Sequence, residues 1–578
     1  MRLKSRYYDA ELAYLREQGR EFARAFPSTA GLLAERSDDP DVERLLEGFA
    51  FLASRIRERV DDGMPELAQQ LGSILVPQLT RYIPSCAIVQ FEPEVRSLRM
   101  ATAIPRGAGV AGVAADGSRC RFVTTADTDL LPIELVDVRT DKPSSRTERI
   151  TLQLRIPPHG VGAAGERPLR LYLHGELPFT STLRTWWLRH CVQMVVYDAE
   201  GRRGALRGAP QGRGFEPDSR LLPQQPLEHD AFGFVAEIFA FPQKFCFVDL
   251  PPLGALAGPE IELRCTFESP PELSRRLTAD GLRLHCAPVI NLFETTSDPV
   301  RFEPLRPEAV VRGVDRHANE IEVYDVMRVQ GLASGRRRDY AAFASFGAAA
   351  AGQAPHDEAY YVTRRTPSMS GSGTELYVSL MSPRDSAPIA RSEVLALDLL
   401  CSNRGAAATL GIGDIDQPVR GSPVCAALSN ITVPTPPLYP HDDVELLWRL
   451  TSHVGASHRG LQCADTLRRT LRTYNFAATF NPHQGRLISL WIDAISEVHS
   501  RKIVRLHRGA PVTGTQTTVV VDETVFGGAG EAVLLGECLS EMYGRRASLN
   551  SFSQLVVRLA PSAREYRWKP RNGERTIG

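Results

Sequence analysis

The chain has 578 residues and a mass of 63.7 kDa, with 43% hydrophobic and 24% charged residues. That is ordinary globular usage, which excludes a disordered, collagen-like or disulfide-stapled chain and points to roughly three to five domains. Lys plus Arg totals 68 and Asp plus Glu 68, so the global basic excess of a nucleic-acid or membrane-surface binder is missing, and a neutral chain of this size suits a subunit held inside an assembly.

The first 84 residues read as helical. Over residues 6–27, Tyr8, Leu12, Leu15, Gly19, Phe22 and Phe26 recur at alternating intervals of four and three, an a/d heptad seam that Pro27 ends. Asp39-Pro40 then supplies an N-cap followed by Pro at the first helical position. The second seam runs Val42, Leu45, Phe49, Leu52, Ile56, widened by Leu46 and Ala53, and Pro65 opens a third helix with Leu67, Leu71, Ile74 and Leu75 on one side. Three amphipathic helices imply a bundle, and a bundle must bury its stripes either on its own chain or on another subunit.

After Pro84 the texture turns to strands. Apolar alternation is clear at Ile150, Leu152, Leu154 and Ile156, at Leu169, Leu171 and Leu173, at Ile261, Leu263, Cys265 and Phe267, and at Leu376, Val378 and Leu380. Residues 192–197 and 519–521 add short apolar runs, while 200–226 and 331–353 read as loop, the latter with a short helix as alternative. Because no helix regularly follows each strand, a doubly wound fold is disfavoured. Helical periodicity returns over 461–474 and 530–543. The expected architecture is multidomain α+β: an N-terminal helical bundle (1–84), two β-rich, sandwich- or barrel-like domains (85–280 and 281–435) and a mixed α+β C-terminal domain (436–578).

Motifs of chemistry are scarce. The P-loop pattern and H-E-x-x-H are absent, Gly411-Ile412-Gly413-Asp414 lacks a strand-to-helix setting, and Met369-Ser370-Gly371-Ser372-Gly373 misses the hydrolase elbow register. His441-Asp442-Asp443 with Glu445 reads as a solvated turn rather than a metal site, and Asp61-Asp62 as a helix end rather than an acid–base pair. The ten cysteines include no C-x-x-C and sit mostly among apolar neighbours, which fits a reducing compartment. The first residues lack the apolar core of a signal peptide, and no run approaches 18 consecutive apolar residues. The expectation is a cytoplasmic chain with no cofactor, no metal and no membrane insertion. Lysine is rare: Lys4, Lys142, Lys244, Lys502 and Lys569 stand against 63 arginines. A lysine kept inside Phe241-Pro242-Gln243-Lys244-Phe245 points to a site with room for an ammonium but not a guanidinium fork, and Glu237 is its candidate partner.

Ordered blocks along the chain resemble one family. Tyr7-Tyr8-Asp9-x-Glu11-Leu12-x-Tyr14-Leu15-Arg16-Glu17, Glu21-Phe22-Ala23 and Phe26-Pro27 form the opening, followed by Asp39-Pro40-x-Val42-Glu43-Arg44-Leu45-Leu46-Glu47 and Ala50-Phe51-Leu52. Asp61-Asp62, Pro65-Glu66-Leu67, Ile83-Pro84-Ser85 and Gln90-Phe91 continue the order. Phe239-Ala240-Phe241-Pro242-x-Lys244-Phe245 and Ile290-Asn291-Leu292-Phe293 follow, then Trp448-Arg449-Leu450 with Ser452-His453, and Asn550-Ser551-Phe552-x-Gln554-Leu555. Together they resemble the TssF (ImpG/VasA) family of the bacterial type VI secretion baseplate. The chain departs from the family pattern after Cys401-Ser402-Asn403-Arg404, where Gly405-Ala406-Ala407 stands, and at Val454-Gly455-Ala456-Ser457-His458.

The resemblance implies a structural wedge subunit of a contractile injection machine, without catalysis. It implies assembly with TssG and TssK, a second copy of the chain in the same wedge, and TssE and the VgrG spike hub as neighbours. It also places the complex in the cytoplasm beneath the inner membrane, docked through the membrane complex. The seams supply candidate interface residues: Tyr8, Leu12, Leu15, Phe22, Phe49, Leu52 and Ile56. Phe241, Pro242, Lys244, Phe245 and Trp448 are candidate structural motif residues. Two rival readings are a carbohydrate-binding β-sandwich, which needs exposed aromatics on a sheet face, and an unrecognised β-rich hydrolase.

Overall fold

The computed structural model describes residues 2–25, 41, 44–55, 72, 76–95, 98–223, 231–254, 259–302, 308–314, 321–333, 336–343, 360–368, 373–381, 393–419, 426–440, 460–507 and 509–573. The chain divides into a small unit, Met1–Leu75 with Asp442–Thr451, and a large one, Val76–His441 with Ser452–Gly578. The fold is α+β, and strands predominate over helices.

In the small unit the first helix spans Arg2–Ala25 and residues 44–55 form further helix. The expected third helix and Ile56 lie outside the described residues. The anticipated bundle with buried seams is not what the described part presents. Ala50 and Ser54 are buried and Leu46 and Ala53 half-buried, while the Leu45, Phe49 and Leu52 seam faces out. The same helix thus carries two stripes one residue apart, and the small side chains, which permit the closer backbone approach, take the inner one.

The large unit is built from mostly antiparallel sheets that draw on distant parts of the chain. Its six-stranded sheet runs Gln417–Pro418, Gly109–Val113, Arg119–Thr124, Cys286–Ile290, Cys86–Pro93, Ala426–Asn430 in spatial order. Val89, Phe91, Val110, Phe122 and Val289 fill its core together with Ala407, Leu410 and Ile415. This sheet takes strands from both sides of residue 280, the border expected between two β-rich domains. Antiparallel pairing tolerates such long connections because loop-closure entropy grows only slowly with loop length.

The alternating segments form strands as their period requires. Thr147–Arg155 and Glu260–Glu268 pair antiparallel over nine positions and bury Ile150, Leu152, Leu154, Leu263, Cys265 and Phe267. Of residues 331–353, read as loop or short helix, 331–333 and 336–342 instead belong to Glu322–Ala333 and Arg336–Ala342, adjacent strands of an eight-stranded sheet, and 344–353 lie outside the described residues. Tertiary pairing overrides local propensity there: Arg336–Tyr340 is held by ladder bonds to Val329–Ala333. At the C-terminal end, Ala510–Asp522 and Phe552–Ala560 pair in parallel, and the helix Ala529–Arg546 lies in the connection between them, as a parallel crossover demands.

Candidate partner interface

The first helix carries its seam toward solvent by degrees. Tyr8, Leu12 and Leu15 are half-buried, whereas Phe22 is 49% exposed. On the second helical stretch Leu45 is 72%, Phe49 66% and Leu52 61% exposed. Tyr14 and Phe51 are exposed as well. Isolated surface leucines need no explanation, but a group of large apolar side chains on two helices is the signature of a protein-binding surface. Each Leu or Phe that became fully covered would contribute about 1.5–3 kcal/mol of transfer free energy.

The second sequence-predicted group has a different task. The helix Gly233–Ala240 is buried at all eight positions, and Pro242 opens the short 3-10 turn Pro242–Phe245 immediately after it. That turn folds Lys244 back beneath the helix, where its ammonium donates to Glu237 Oε2. Arg220 Nε donates to the other oxygen, Oε1, at 2.6 Å, and the Leu221 amide donates to the same oxygen at 3.1 Å. Phe234 lies under both cations, 4.8 Å from the Arg220 guanidinium carbon and 5.1 Å from Lys244 Nζ, and the Phe245 ring is 5.0 Å from Nζ.

Two cations and one carboxylate are therefore buried together; Glu237 is 0% and Lys244 1% exposed. Burial pulls the Lys244 pKa down to about 8, with Glu237 opposing that drop. Burial pushes Glu237 up, but Arg220 and Lys244 outweigh it and hold the carboxyl below its usual value. Phe241 and Phe245 are buried. The group thus acts as an internal support rather than a contact surface. Trp448 and the His441–Glu445 cluster lie outside the described residues.

A further support was invisible in the sequence because its members are distant along the chain. Asn291 and Asn403 bond reciprocally: Asn291 Nδ2 donates to Asn403 Oδ1 at 2.9 Å, and the Asn403 amide donates to Asn291 Oδ1 at 2.7 Å. Asn291 Nδ2 also reaches the Arg121 carbonyl, and the Arg121 amide reaches Asn403 Oδ1. This quartet ties the six-stranded sheet to the strand Glu393–Ser402 of the eight-stranded one. The divergent Gly405-Ala406-Ala407 begins the 3-10 turn Ala406–Thr409 and seats Ala407, fully buried, in the six-stranded sheet's core. The departure from the family pattern is thus absorbed by small side chains in a tight turn.

Among the described residues, no three His, Cys, Asp or Glu side chains converge as metal ligands, and no helix is long and apolar enough to cross a membrane. The nine described cysteines are free thiols. The exposed aromatics among the described residues are Tyr14, Phe22, Phe49, Phe51 and Phe480. None lies on a strand, so the aromatic platform that carbohydrate binding needs is not found there.

The family described as "Type VI secretion system, TssF" matches residues 2–575. The type VI secretion system component TssF1 of Pseudomonas aeruginosa is 27% identical over 620 aligned positions, covering 98% of each chain. A chain in the cryo-electron microscopy structure of a type VI secretion TssK-TssF-TssG baseplate subcomplex superposes with a TM-score of 0.77 at 28% identity, covering 93% of this chain and 100% of that one. A chain in the baseplate complex from the type VI secretion system superposes with a TM-score of 0.62 at 29% identity, covering 99% and 100%. With a match that runs nearly from end to end, the chain belongs to the TssF family of the type VI secretion system.

Proposed function

We propose that this chain is a structural wedge subunit of a type VI secretion baseplate, joining TssG and TssK, and that its N-terminal helices are the surface a partner covers. The observation that carries the reading is the outward seam: Phe22, Leu45, Phe49 and Leu52 are about half to three-quarters exposed, while the second helical stretch already buries Ala50 and Ser54 on its inner side. A heptad seam left open on one chain is completed by helices of another. One structural neighbour comes from an assembly that contains TssK and TssG, which supports TssG as the chain that supplies those helices. A second copy of this chain, TssE and the VgrG hub complete the wedge's surroundings, at the cytoplasmic face of the inner membrane. The role is scaffolding: burial, charge balance and internal ion clusters hold shape, and no reaction is assigned to them.

Leu15→Asp combined with Phe49→Asp tests the seam. Phe49 is already in water and Leu15 partly so, so the substitutions leave the large unit's sheets intact. The expected outcome, in co-expression with TssG and TssK, is loss of TssG from the purified complex at unchanged circular dichroism. Recovery of TssG at the wild-type ratio would remove the seam from the interface.

A further inference from the structure

The C-terminal sheet ends in a long, open edge. Ile495–His507 pairs with Ala510–Asp522 from Ile495↔Val521 out to His507↔Ala510 and has no strand on its other side among the described residues. At 13 residues the edge is about 40 Å long, far beyond the short edges by which proteins normally avoid unwanted pairing. The third strand reaches only as far as Thr515↔Ser553, so the outer part of the hairpin extends past it. On this outer part Val504 is 67% and Leu506 78% exposed.

Between Val498 and Val521, inside the acidic residues Glu497 and Asp522 near its base, the charge of this hairpin is one-sided. The whole chain is balanced at 68 to 68, yet no Asp or Glu falls between Val498 and Val521, while Arg501, Lys502, Arg505 and Arg508 do. The described cations are met only by neutral groups. Arg501 Nε donates to Gln516 Oε1 at 2.7 Å, and Arg505 donates to Asn572 Oδ1 at 2.6 Å and lies over the Phe552 ring at 4.7 Å. Lys502, one of five lysines in the chain, makes no ion pair among the described residues and is exposed. Open backbone groups, two protruding aliphatic side chains and unneutralised positive charge coincide on one strand.

We propose that the edge Ile495–His507 receives an acidic, extended segment of a neighbouring protein chain as an added strand. Backbone pairing would supply affinity, Val504 and Leu506 would meet apolar side chains on one face of the added strand with Lys502 reaching an acidic group at that face's end, and Arg501 and Arg505 would select Asp and Glu on the opposite face. The proposal rests on the assembly reading above, but its surface is separate from the N-terminal seam.

Two measurements test it. The isolated full-length chain is titrated with a 12-residue peptide alternating Glu and Val, and with its Lys–Val counterpart, by fluorescence anisotropy. The acidic peptide is expected to bind, to weaken with added salt, and to lose at least tenfold in affinity against the Lys502→Glu, Arg505→Glu variant, whose folding is checked by thermal melting. The basic peptide is expected not to bind. Equal binding of both peptides, or none of either, overturns the proposal whatever happens to TssG, so its failure is distinct from that of the seam. In the complex co-expressed with TssG and TssK, a zero-length carbodiimide cross-linker is expected to join Lys502 to an Asp or Glu of another chain. Cross-links from Lys502 only to its own chain, or charge-dependent binding of single-stranded DNA in place of the acidic peptide, would equally sink it.

Discussion

Glu237 is a residue on which the internal electrostatics turns, because its carboxylate pairs with both Arg220 and Lys244 in a buried setting. Removing a central partner from such a cluster is far more damaging than replacing the cluster as a whole. Glu237→Gln removes the carboxylate that these two buried cations share and is expected to cost about 3–5 kcal/mol in a denaturant titration. Lys244→Met leaves Glu237 paired with Arg220 and the Leu221 amide, so it is expected to be milder by at least half. Lys244→Arg must fit a wider fork between Phe234 and Phe245 and is expected to cost about 1–3 kcal/mol by overpacking; unchanged stability in that variant would show the site indifferent to the head group. His285 adds a pH dependence. Its Nε2 accepts the Leu131 amide at 3.2 Å in a buried setting, and burial lowers its pKa to about 4. Since the ordinary value is 6.5, the unfolded chain binds the proton first between those limits. The stabilisation is therefore whole above pH 6.5 and is lost as pH falls toward 4, by up to about 3 kcal/mol. His285 also has a positive φ of 57°, which Asn tolerates better than most other residues with a side chain. His285→Asn is thus expected to flatten this stretch of the stability–pH curve, and an unchanged slope would assign the acid sensitivity to other groups.

At the scale of elements, legibility followed periodicity. Strands with one buried face, such as Glu260–Glu268 with its strict alternation, announce themselves. The helix Gly233–Ala240 does not: all its positions are buried, so it has no polar face to set a period, and only the turn after it drew notice through Lys244. Lys244's partnership with Glu237 was legible because seven residues separate them; Arg220's share in it was not, since the intervening chain gives no spacing rule. The N-terminal helices were legible as helices but not in their facing, because two apolar stripes compete and only packing decides between them. Packing also decides at Gly530, in the helix Ala529–Arg546. A Cβ there would collide with the Thr182 amide and Ser181 backbone of the helix Leu177–Thr185. Arg184, on that second helix, donates to Glu537 at 2.6 Å. Gly530→Ala is expected to push the two helices apart, weaken that ion pair and cost about 1–3 kcal/mol. A melting temperature within a degree of the wild type would mean that the contact gives way easily.

At the scale of the whole molecule, the division into units and the division of the sequence do not coincide. Cys86–Pro93 is paired on one side by Cys286–Ile290 and on the other by Ala426–Asn430, so the six-stranded sheet exists only when segments about 200 and 340 residues apart in the chain are both present. Expressed alone, residues 76–280 would hold an apolar strand with neither neighbour, its Val89 and Phe91 facing water instead of Val289 and Leu428. That fragment is expected to lack a cooperative unfolding transition and to aggregate through its open edges. The segment 76–578, by contrast, keeps every sheet strand and both asparagines of the inter-sheet quartet. It is expected to melt cooperatively with the N-terminal helices removed, while no longer recovering TssG. This pair of truncations separates shape from attachment: a cooperative 76–280 fragment would show that the sheet does not need its distant strands. A 76–578 chain that still recovers TssG would place the attachment among the sheets rather than on the helices.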